Sequence, residues 1–261
     1  MEYTKESYIL KEKIKEEAIR LGANIIGFAE VNSWGNFKDT SVDYYPQNIW
    51  PFSKSVIVLG LQIYLPMLET TPSVVYSELY NTTNRILDDM SYKVANYLGR
   101  LGHKAFFFPR DCYGDISTLV KKPQAAFSHV LAGKYAGLGT IGYNHTLITK
   151  EYGPRVRLVS VITDALIPPD DIMDKDLCIK CLQCKNSCPT SAFTTKNELI
   201  ADMDKIKCAK YHERLKSDYT YPCGVCIKVC PIGDDKKLYG TSSVSREGIT
   251  HCQNHGSKNA I

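Results

Sequence analysis

Apolar residues recur at helical spacing in three stretches of the chain. In residues 5–21 they lie on one helical face, and Gly22 follows as a stop signal. Residues 74–101 show the same spacing over a longer run that Gly102 closes, which predicts a long amphipathic helix. Residues 123–136 are predicted to form a third helix.

Shorter apolar runs lie between and after these helices and predict β-strands. Their length and their β-branched and aromatic content are typical of buried strands. The mixture of helices and strands predicts an α+β or α/β domain, with α+β as the favoured class. The predicted strands are 24–29, 55–64, 103–109, 145–149 and 155–163.

The cysteines divide the chain into two unequal parts. Nine of the ten cysteines lie after residue 177, and the Pro/Asp-rich segment 166–171 precedes them. We therefore expect a boundary near residue 170. The predicted parts are a first domain (1–170), a cysteine-rich domain (171–240) and a polar C-terminal tail (241–261).

Eight of the late cysteines form two related runs. In bacterial two-cluster ferredoxins, a C-x2-C-x2-C-x3-C-P run gives three ligands to one 4Fe–4S cluster and its fourth cysteine to the other. The same rule predicts two 4Fe–4S clusters here. Cluster 1 would be held by Cys178, Cys181, Cys184 and Cys230, and cluster 2 by Cys188, Cys208, Cys223 and Cys226.

Structural zinc and disulfide bonds are the alternatives for these cysteines. Two interleaved blocks that each end in Cys-Pro fit iron–sulfur clusters better than separate zinc sites. The second run departs from the ferredoxin repeat, because Cys208 precedes Cys223 by fifteen residues. We expect the inserted segment, 209–222, to pack against a specific part of the protein.

Two cysteines remain outside these runs. Cys112 lies in the segment 109–115, and we interpret it as a buried thiol, with a place in a cavity wall as the alternative. Cys252 lies between His251 and His255 in the polar tail, where a metal site competes with a simpler interpretation as incidental tail residues.

The segment 137–142 matches the glycine pattern of dinucleotide-binding loops. That fingerprint requires a strand before the loop and a helix after it. Here a predicted helix comes first and a predicted strand follows. The pattern therefore argues against a dinucleotide site, although the glycines allow close approach of backbone to a large ligand.

Several motifs together resemble one known group of enzymes, the cobalamin-dependent iron–sulfur reductases. This group comprises epoxyqueuosine reductase and the reductive dehalogenases, and the resemblance covers about residues 120–235. The motifs that carry it are 136–144 (AGLGTIGYN), 147–149 (LIT), 152–155 (YGPR), 161–165 (VITDA), the two cysteine runs and 208–211 (CAKY).

The resemblance implies a nitroreductase-like α+β domain that holds a corrinoid, followed by the two-cluster ferredoxin domain. Electrons from a ferredoxin or flavodoxin would pass through the clusters to cobalt, and cob(I)alamin would act as nucleophile and reductant. The residues expected against the cofactor are Gly137, Leu138, Gly139, Ile141, Gly142 and Tyr143.

The resemblance also implies a proton donor. Epoxyqueuosine reductase carries an acidic residue about fourteen residues before the glycine segment, but the corresponding stretch here, 119–126, contains no acid. A loop after a strand is a suitable place for such a group. Asp111, Tyr113 and Asp115 are therefore the candidate catalytic residues, with solvated loop residues as the alternative for the two acids.

Charge and composition narrow the functional classes further. The net charge of +4 tolerates a polyanionic partner such as tRNA without requiring one, and Lys121-Lys122 offers only a weak site. The start of the chain has neither an apolar signal segment nor a twin-arginine motif, so we expect a cytoplasmic protein that is not bound to a membrane.

Three functions compete at this point. The leading one is a corrinoid-dependent reductase that acts on a small molecule or a modified nucleoside. The second is a non-catalytic electron carrier or activator for a partner protein, and the third is an iron–sulfur reductase with flavin in its first domain. The bound cofactor would distinguish them.

Overall fold

A computed structural model of the chain describes residues 2–36, 42–194 and 200–239. The polar tail, with His251, Cys252 and His255, lies outside the described residues. The helices are α1 (Lys5–Arg20), α2 (Pro46–Ile49), α3 (Leu65–Leu68), α4 (Val74–Arg100), α5 (Ile116–Lys121), α6 (His129–Tyr135), α7 (Gln183–Asn186), α8 (Lys205–Ser217), α9 (Val225–Lys228) and α10 (Asp235–Tyr239). The strands are β1 (Ile25–Glu30), β2 (Ser55–Gln62), β3 (Ala105–Phe108), β4 (Thr140–Ile141), β5 (Leu147–Ile148), β6 (Val156–Thr163), β7 (Phe193–Thr194) and β8 (Asp202–Met203). Two 3-10 segments, Val31–Asn36 and Val42–Tyr44, follow β1.

The two long helices begin where a hydroxyl side chain caps them. The Thr4 side chain accepts a hydrogen bond from the Ser7 N–H at the start of α1, and Ser73 accepts from the Tyr76 N–H at the start of α4. Such a cap satisfies one of the backbone donors that the first helical turn leaves free. The two long helices lie close to their predicted positions.

Four strands form one antiparallel sheet in the order β1-β2-β6-β3. The central strands pair with Val58 opposite Ser160, and β1 pairs with β2 through Phe28 opposite Ile57. Because β2 is buried on both faces, seven of its eight residues are inaccessible to solvent. This explains why its sequence reads as a continuous apolar run instead of an alternating one.

Side chains of alternate strand residues build two cores, one on each face of the sheet. On one face, Ile57 and Leu59 pack with α1 and α4 through residues such as Ile14 and Leu87. On the other face, Val56 and Val58 pack with α6 and with the rings of Trp34, Phe127 and Tyr135. The first part of the chain is thus a sheet between two helical layers, so the prediction of a mixed helix and strand fold is confirmed.

One predicted helix is wrong in extent. Residues 123–136 contain only α6, which starts at His129 because the Ser128 side chain accepts from the Leu131 N–H. Another helix, α5, precedes this segment and ends at Lys121, next to Pro123. Its short apolar pattern offers too few turns to be recognised from periodicity.

The Pro/Asp-rich joint lies along the edge strand β1. The Asp170 N–H donates to the Phe28 carbonyl (2.8 Å), its carboxylate accepts from the Phe28 N–H (2.9 Å), and Lys11 binds the same carboxylate. The cysteine-rich part then packs against the first part, with α8 against α5 and α10 against α3. The inserted segment therefore has a specific packing partner in α5, as expected.

Within the residues described, no helix combines the length and the apolar character that a membrane span requires.

Candidate functional site

The two cysteine runs fold into matching local structures. In each, a left-handed residue follows one cysteine and starts a one-turn helix: Leu182 (φ 59°) before α7 and Gly224 (φ 65°) before α9. The two helices contact each other. Cys181 and Cys184 thus occupy the same local positions as Cys223 and Cys226. This internal repeat is typical of ferredoxin-type folds, in which short loops turn several thiols toward one point.

The predicted cluster 1 cysteines line one small cavity. Its wall contains Cys178, Cys181, Cys184 and Cys230, together with Ile179 and Leu182. Cys181 is exposed, so this cavity lies near the protein surface. Cys230 comes from the second run, as the crossed arrangement requires.

The predicted cluster 2 cysteines line a second, larger cavity of about 410 Å³. Cys188 reaches this cavity from the first run and Cys208 from α8, where they join Cys223 and Cys226. All nine described cysteines are free of disulfide bonds. The structure therefore brings together the same two sets of four cysteines that the spacing rule groups.

Burial disfavours the thiolate form of these cysteines. It raises the pKa of Cys208 to about 12 and that of Cys184 to about 11, with neighbouring cysteines adding to both shifts. A bound cation reverses this effect, because metal coordination stabilises the thiolate. In the described part of the chain, no three His, Cys, Asp or Glu side chains have the geometry of a site for one metal ion. A 4Fe–4S cluster makes a different demand, since each of its irons takes its own thiolate.

The larger cavity has a polar end built around Asp111. The Arg157 guanidinium donates to the Asp111 carboxylate (2.9 Å), and the hydroxyls of Tyr80 (3.1 Å) and Tyr113 (3.3 Å) donate to the same oxygen. Asn84 fixes Arg157 from the other side by accepting from its Nε at 3.1 Å. Asp111 is therefore an acceptor bound by three residues that line the cavity, and its side chain is only 17% exposed.

Helix α4 and strand β6 supply the groups that hold this end of the cavity. Tyr76, Tyr80 and Asn84 are spaced four residues apart and therefore share one face of α4. Arg157 projects from β6, and its guanidinium lies 4.5 Å from the centre of the Tyr80 ring. Burial tends to lower the pKa of Arg157, but Tyr80, Asp111 and the neighbouring phenols outweigh it and raise the pKa above its ordinary value.

Two tyrosine hydroxyls meet inside the cavity. The Tyr113 and Tyr221 oxygens are 2.9 Å apart, and both side chains line the wall. Burial raises the pKa of both phenols, so both are protonated at neutral pH. A protonated phenol can give up a proton but cannot accept one as a general base.

Sequence reasoning missed Arg157, Tyr80, Tyr221 and His212, all of which line the larger cavity. Arg157 had a detectable signal, because an isolated charged residue within an otherwise apolar buried strand needs a partner. The tyrosines of α4 had none, since they fit equally well into the apolar stripe of an amphipathic helix.

Asp115 does not belong to the cavity. Its side chain caps α5 by accepting from the Ser117 N–H, and it forms a salt bridge with Lys216 of α8. The hydrogen bond from Lys216, followed by those from Ser117, lowers the pKa of Asp115 to about 2. The structure therefore places Asp115 at the α5–α8 contact as a helix cap, away from the other two candidate catalytic residues.

None of the residues predicted to contact a cofactor lines the larger cavity; they are Gly137, Leu138, Gly139, Ile141, Gly142 and Tyr143. A Cβ atom on Gly137 would lie 2.3 Å from the Asp171 carbonyl oxygen, and one on Gly139 would lie 2.1 Å from that of Ile148. The glycines thus permit close backbone packing in the β4–β5 hairpin and against the 170–171 segment. Tyr143 lines the smaller cavity instead, and its hydroxyl donates to the Thr194 carbonyl. The cavity-lining residues are the next three, Asn144, His145 and Thr146.

Cys112 lies beside the cavity network and is half-buried. Its thiol donates to the Pro109 carbonyl, with the His129 Nε2 at 3.3 Å. Burial raises the pKa of Cys112 to about 12, and the charges of Asp111 and Asp88 add to this. Cys112 lines neither of the two cysteine cavities, and a thiol with so high a pKa is a weak nucleophile at neutral pH.

Comparisons with known proteins agree with these features. The model of the 4Fe-4S binding domain matches residues 172–194. The tetrachloroethene reductive dehalogenase of Desulfitobacterium hafniense is 30% identical over 193 residues, which cover 68% of this chain. The epoxyqueuosine reductase of Bacillus subtilis (strain 168) is 24% identical over 261 residues, covering 89% of this chain.

The resemblance to these two groups of reductases is confirmed. The crystal structure of epoxyqueuosine reductase with an epoxyqueuosine-modified tRNA-Tyr stem loop matches the fold with a TM-score of 0.61 at 20% identity, over 86% of this chain and 65% of that chain. The chain spans 32% of the length of the dehalogenase and 66% of that of the Bacillus reductase. The chain therefore contains a 4Fe–4S-binding segment, and its mixed α/β fold is similar to that of epoxyqueuosine reductase.

Proposed function

We propose that this protein is an oxidoreductase in which two 4Fe–4S clusters deliver electrons to a corrinoid, which reduces a substrate in the larger cavity. One observation carries the proposal. The four cysteines assigned to cluster 2 line the same cavity as Tyr113 and Arg157, which both bind Asp111, so an electron source and a proton source border one space.

The ligand sets we propose follow from the two cavities. Cluster 1 takes Cys178, Cys181, Cys184 and Cys230, and cluster 2 takes Cys188, Cys208, Cys223 and Cys226. The exposure of Cys181 supports electron entry at cluster 1, with cluster 2 next to the cofactor.

The larger cavity fits an organic cofactor. Its walls include Ile116, Leu119, Val156 and Ile227, and its polar groups converge at one end, as in sites that bind organic ligands. When bound, a corrinoid supplies a strongly reducing cobalt centre, whereas the protein supplies position and protons. The exposed residues Pro189 and Lys205 lie among its lining and mark its opening.

We assign Tyr113 as the proton donor. Its phenol holds a proton at the cavity, and both Arg157 and the Tyr221 hydroxyl favour the phenolate that remains after the proton is given up. Asp111 orients Tyr113 and balances the charge of Arg157 through its salt bridge. Asp111 is thus an orienting group rather than the acid itself.

The names of the relatives suggest two classes of substrate. One relative is a tetrachloroethene dehalogenase, and another was crystallised with a modified tRNA stem loop. We propose a small molecule or a modified nucleoside as substrate, tRNA as a candidate partner, and a ferredoxin or flavodoxin as the electron donor.

Anaerobic reconstitution with iron, sulfide and hydroxocobalamin tests the proposal. The loaded protein should hold about eight irons per chain and retain the corrinoid through gel filtration. Titanium(III) citrate should reduce the cobalt, which is followed by the change in its absorption spectrum. Turnover is then measured with tetrachloroethene and with an epoxyqueuosine-modified stem loop. Tyr113→Phe should lower turnover by about 10²-fold without loss of cofactor, whereas Asp115→Asn should leave it unchanged.

A chain that loads both clusters but retains no corrinoid would overturn the proposal. Oxidation of its clusters by a partner protein would then point to an electron carrier. Retention of flavin instead would favour a flavin-containing reductase.

A further inference from the structure

Arg155 is the largest charged side chain that the described structure buries completely, with a relative exposure of 0%. It lies immediately before β6, outside the lining of the larger cavity. A charge in such a place is costly unless it is paired and hydrogen-bonded. Its partners therefore indicate what it does.

All five guanidinium N–H donors of Arg155 are used. Nε and Nη2 form a two-pronged salt bridge with Asp235 (both 2.6 Å), whose side chain is also buried. The remaining bonds go to backbone carbonyls, those of Cys230 (3.1 Å), Ile227 (3.4 Å) and Ile232 (2.5 Å). A planar fork suits such a set, which a lysine could not satisfy.

Two glycines leave room for this arrangement. Gly153 (φ 54°) and Gly233 (φ 122°) both have left-handed backbones. A Cβ atom would lie 1.9 Å from the Ile232 carbonyl oxygen at Gly153 and 2.4 Å from Nη2 of Arg155 at Gly233. The segment 227–235 is thus folded closely around one side chain.

We infer that the Arg155–Asp235 pair is a positioning device for Cys230, the only cluster 1 ligand that comes from the second cysteine run. The inference rests on the proposed function. Arg155 holds the carbonyl of Cys230 itself and those of the residues two positions beyond it and three positions before it. The other three ligands lie within one short loop, whereas Cys230 reaches cluster 1 only if this segment is held in place.

The pair also sets the electrostatics beside cluster 1. Nη1 of Arg155 lies 3.1 Å from the Cys230 carbonyl oxygen, so the charge of the pair lies close to this ligand. Removing the charge of Asp235 leaves a positive charge near cluster 1, which stabilises the reduced cluster and raises its reduction potential. Cluster 2 should be affected little, because none of its proposed ligands bonds to Arg155.

The experiment compares reconstituted wild-type protein with Asp235→Asn and Arg155→Gln, with iron and sulfide content and EPR-monitored redox titration as readouts. Asp234→Asn is the matched control, because Asp234 is the neighbouring residue and pairs with Lys237 on the surface (2.6 Å). Cys230→Ser defines the signature of a protein that has lost cluster 1.

Asp235→Asn should keep both clusters and raise the potential of cluster 1 alone, whereas Asp234→Asn should match the wild type. Arg155→Gln should lose about half of the iron and reproduce the spectrum of Cys230→Ser. The inference fails if the wild type loads fully and both Asp235→Asn and Arg155→Gln keep two clusters with unchanged potentials. It also fails if Asp235→Asn shifts both clusters equally. If the wild type itself takes up no cluster, the proposed function fails as well.

Discussion

At the scale of single residues, the half-buried His129 imidazole fixes the loop that carries Asp111. Its Nε2 lies 3.0 Å from the Pro109 carbonyl, and its Nδ1 lies 2.9 Å from the Ser160 hydroxyl. A carbonyl only accepts, so Nε2 carries the proton and Nδ1 accepts from Ser160. Burial lowers the pKa of His129 to about 4.

This shift predicts a pH dependence of stability. The unfolded chain binds the His129 proton near pH 6.5 and the folded chain only near pH 4, so stability is lost as the pH falls through that window. The titration of His129 should lower the free energy of unfolding by about 2 kcal/mol between pH 7 and pH 5. Urea unfolding at a series of pH values measures how the free energy of unfolding depends on pH. His129→Gln should show a shallower pH slope, and an unchanged slope would contradict the assignment.

The glycine segment offers a second test at this scale. Gly22 has a left-handed backbone (φ 101°) with open space around it, whereas a Cβ atom on Gly139 would lie 2.1 Å from the Ile148 carbonyl oxygen. Gly22→Ala should cost about 1–2 kcal/mol of stability through backbone strain alone. Gly139→Ala should cost more, about 3 kcal/mol, through steric overlap. Denaturant midpoints compare the two variants, and an equal loss would mean that close packing at Gly139 is unimportant.

At the scale of elements, the start of α6 depends on one side chain. The Ser128 side chain accepts from the Leu131 N–H (3.3 Å), and α6 covers the second core through Ala132 and Tyr135. Ser128→Ala should therefore destabilise the protein by about 1 kcal/mol in thermal unfolding. Ser128→Asp restores an acceptor and should recover most of the loss. If both variants are equally destabilised, the cap does not set the start of α6.

At the scale of the whole molecule, the crossed cysteine sets predict which cysteine variants lose the same cluster. Cys188 belongs to the first run, but it shares a cavity with Cys208, Cys223 and Cys226. Cys188→Ser and Cys208→Ser should therefore remove the same cluster by EPR, and Cys181→Ser the other. Cys112→Ser should retain both. Loss of the same cluster in Cys188→Ser and Cys181→Ser would show that ligation is not crossed.

The sequence predicted the elements with a clear period and missed those without one. Helices α1 and α4 are long enough for several apolar turns, so their positions follow from the pattern. The short helix α5 and the late start of α6 depend on local caps and on Pro123, which the pattern around them obscured.

Some parts of the candidate site could be predicted from the sequence, and others could not. The spacing of the eight cysteines determined their grouping, because short loops leave a thiol few directions in which to point. Only the tertiary structure shows which polar residues lie in the same cavity as the cluster 2 cysteines. It brings the Tyr80 hydroxyl of α4 and the Arg157 guanidinium of β6 to the carboxylate of Asp111, although Tyr80 and Arg157 are 77 residues apart in the chain.

The glycine segment shows the same limit. Its pattern indicates that the backbone comes close to another group, and only the fold shows that the Ile148 and Asp171 carbonyls are close neighbours. What the sequence alone determined are short-range consequences of residue type and spacing, namely the amphipathic helices, the buried strands and the cysteine loops. The larger cavity, its polar end and the buried Arg155–Asp235 pair depend on contacts between distant segments, and packing in three dimensions selects those contacts.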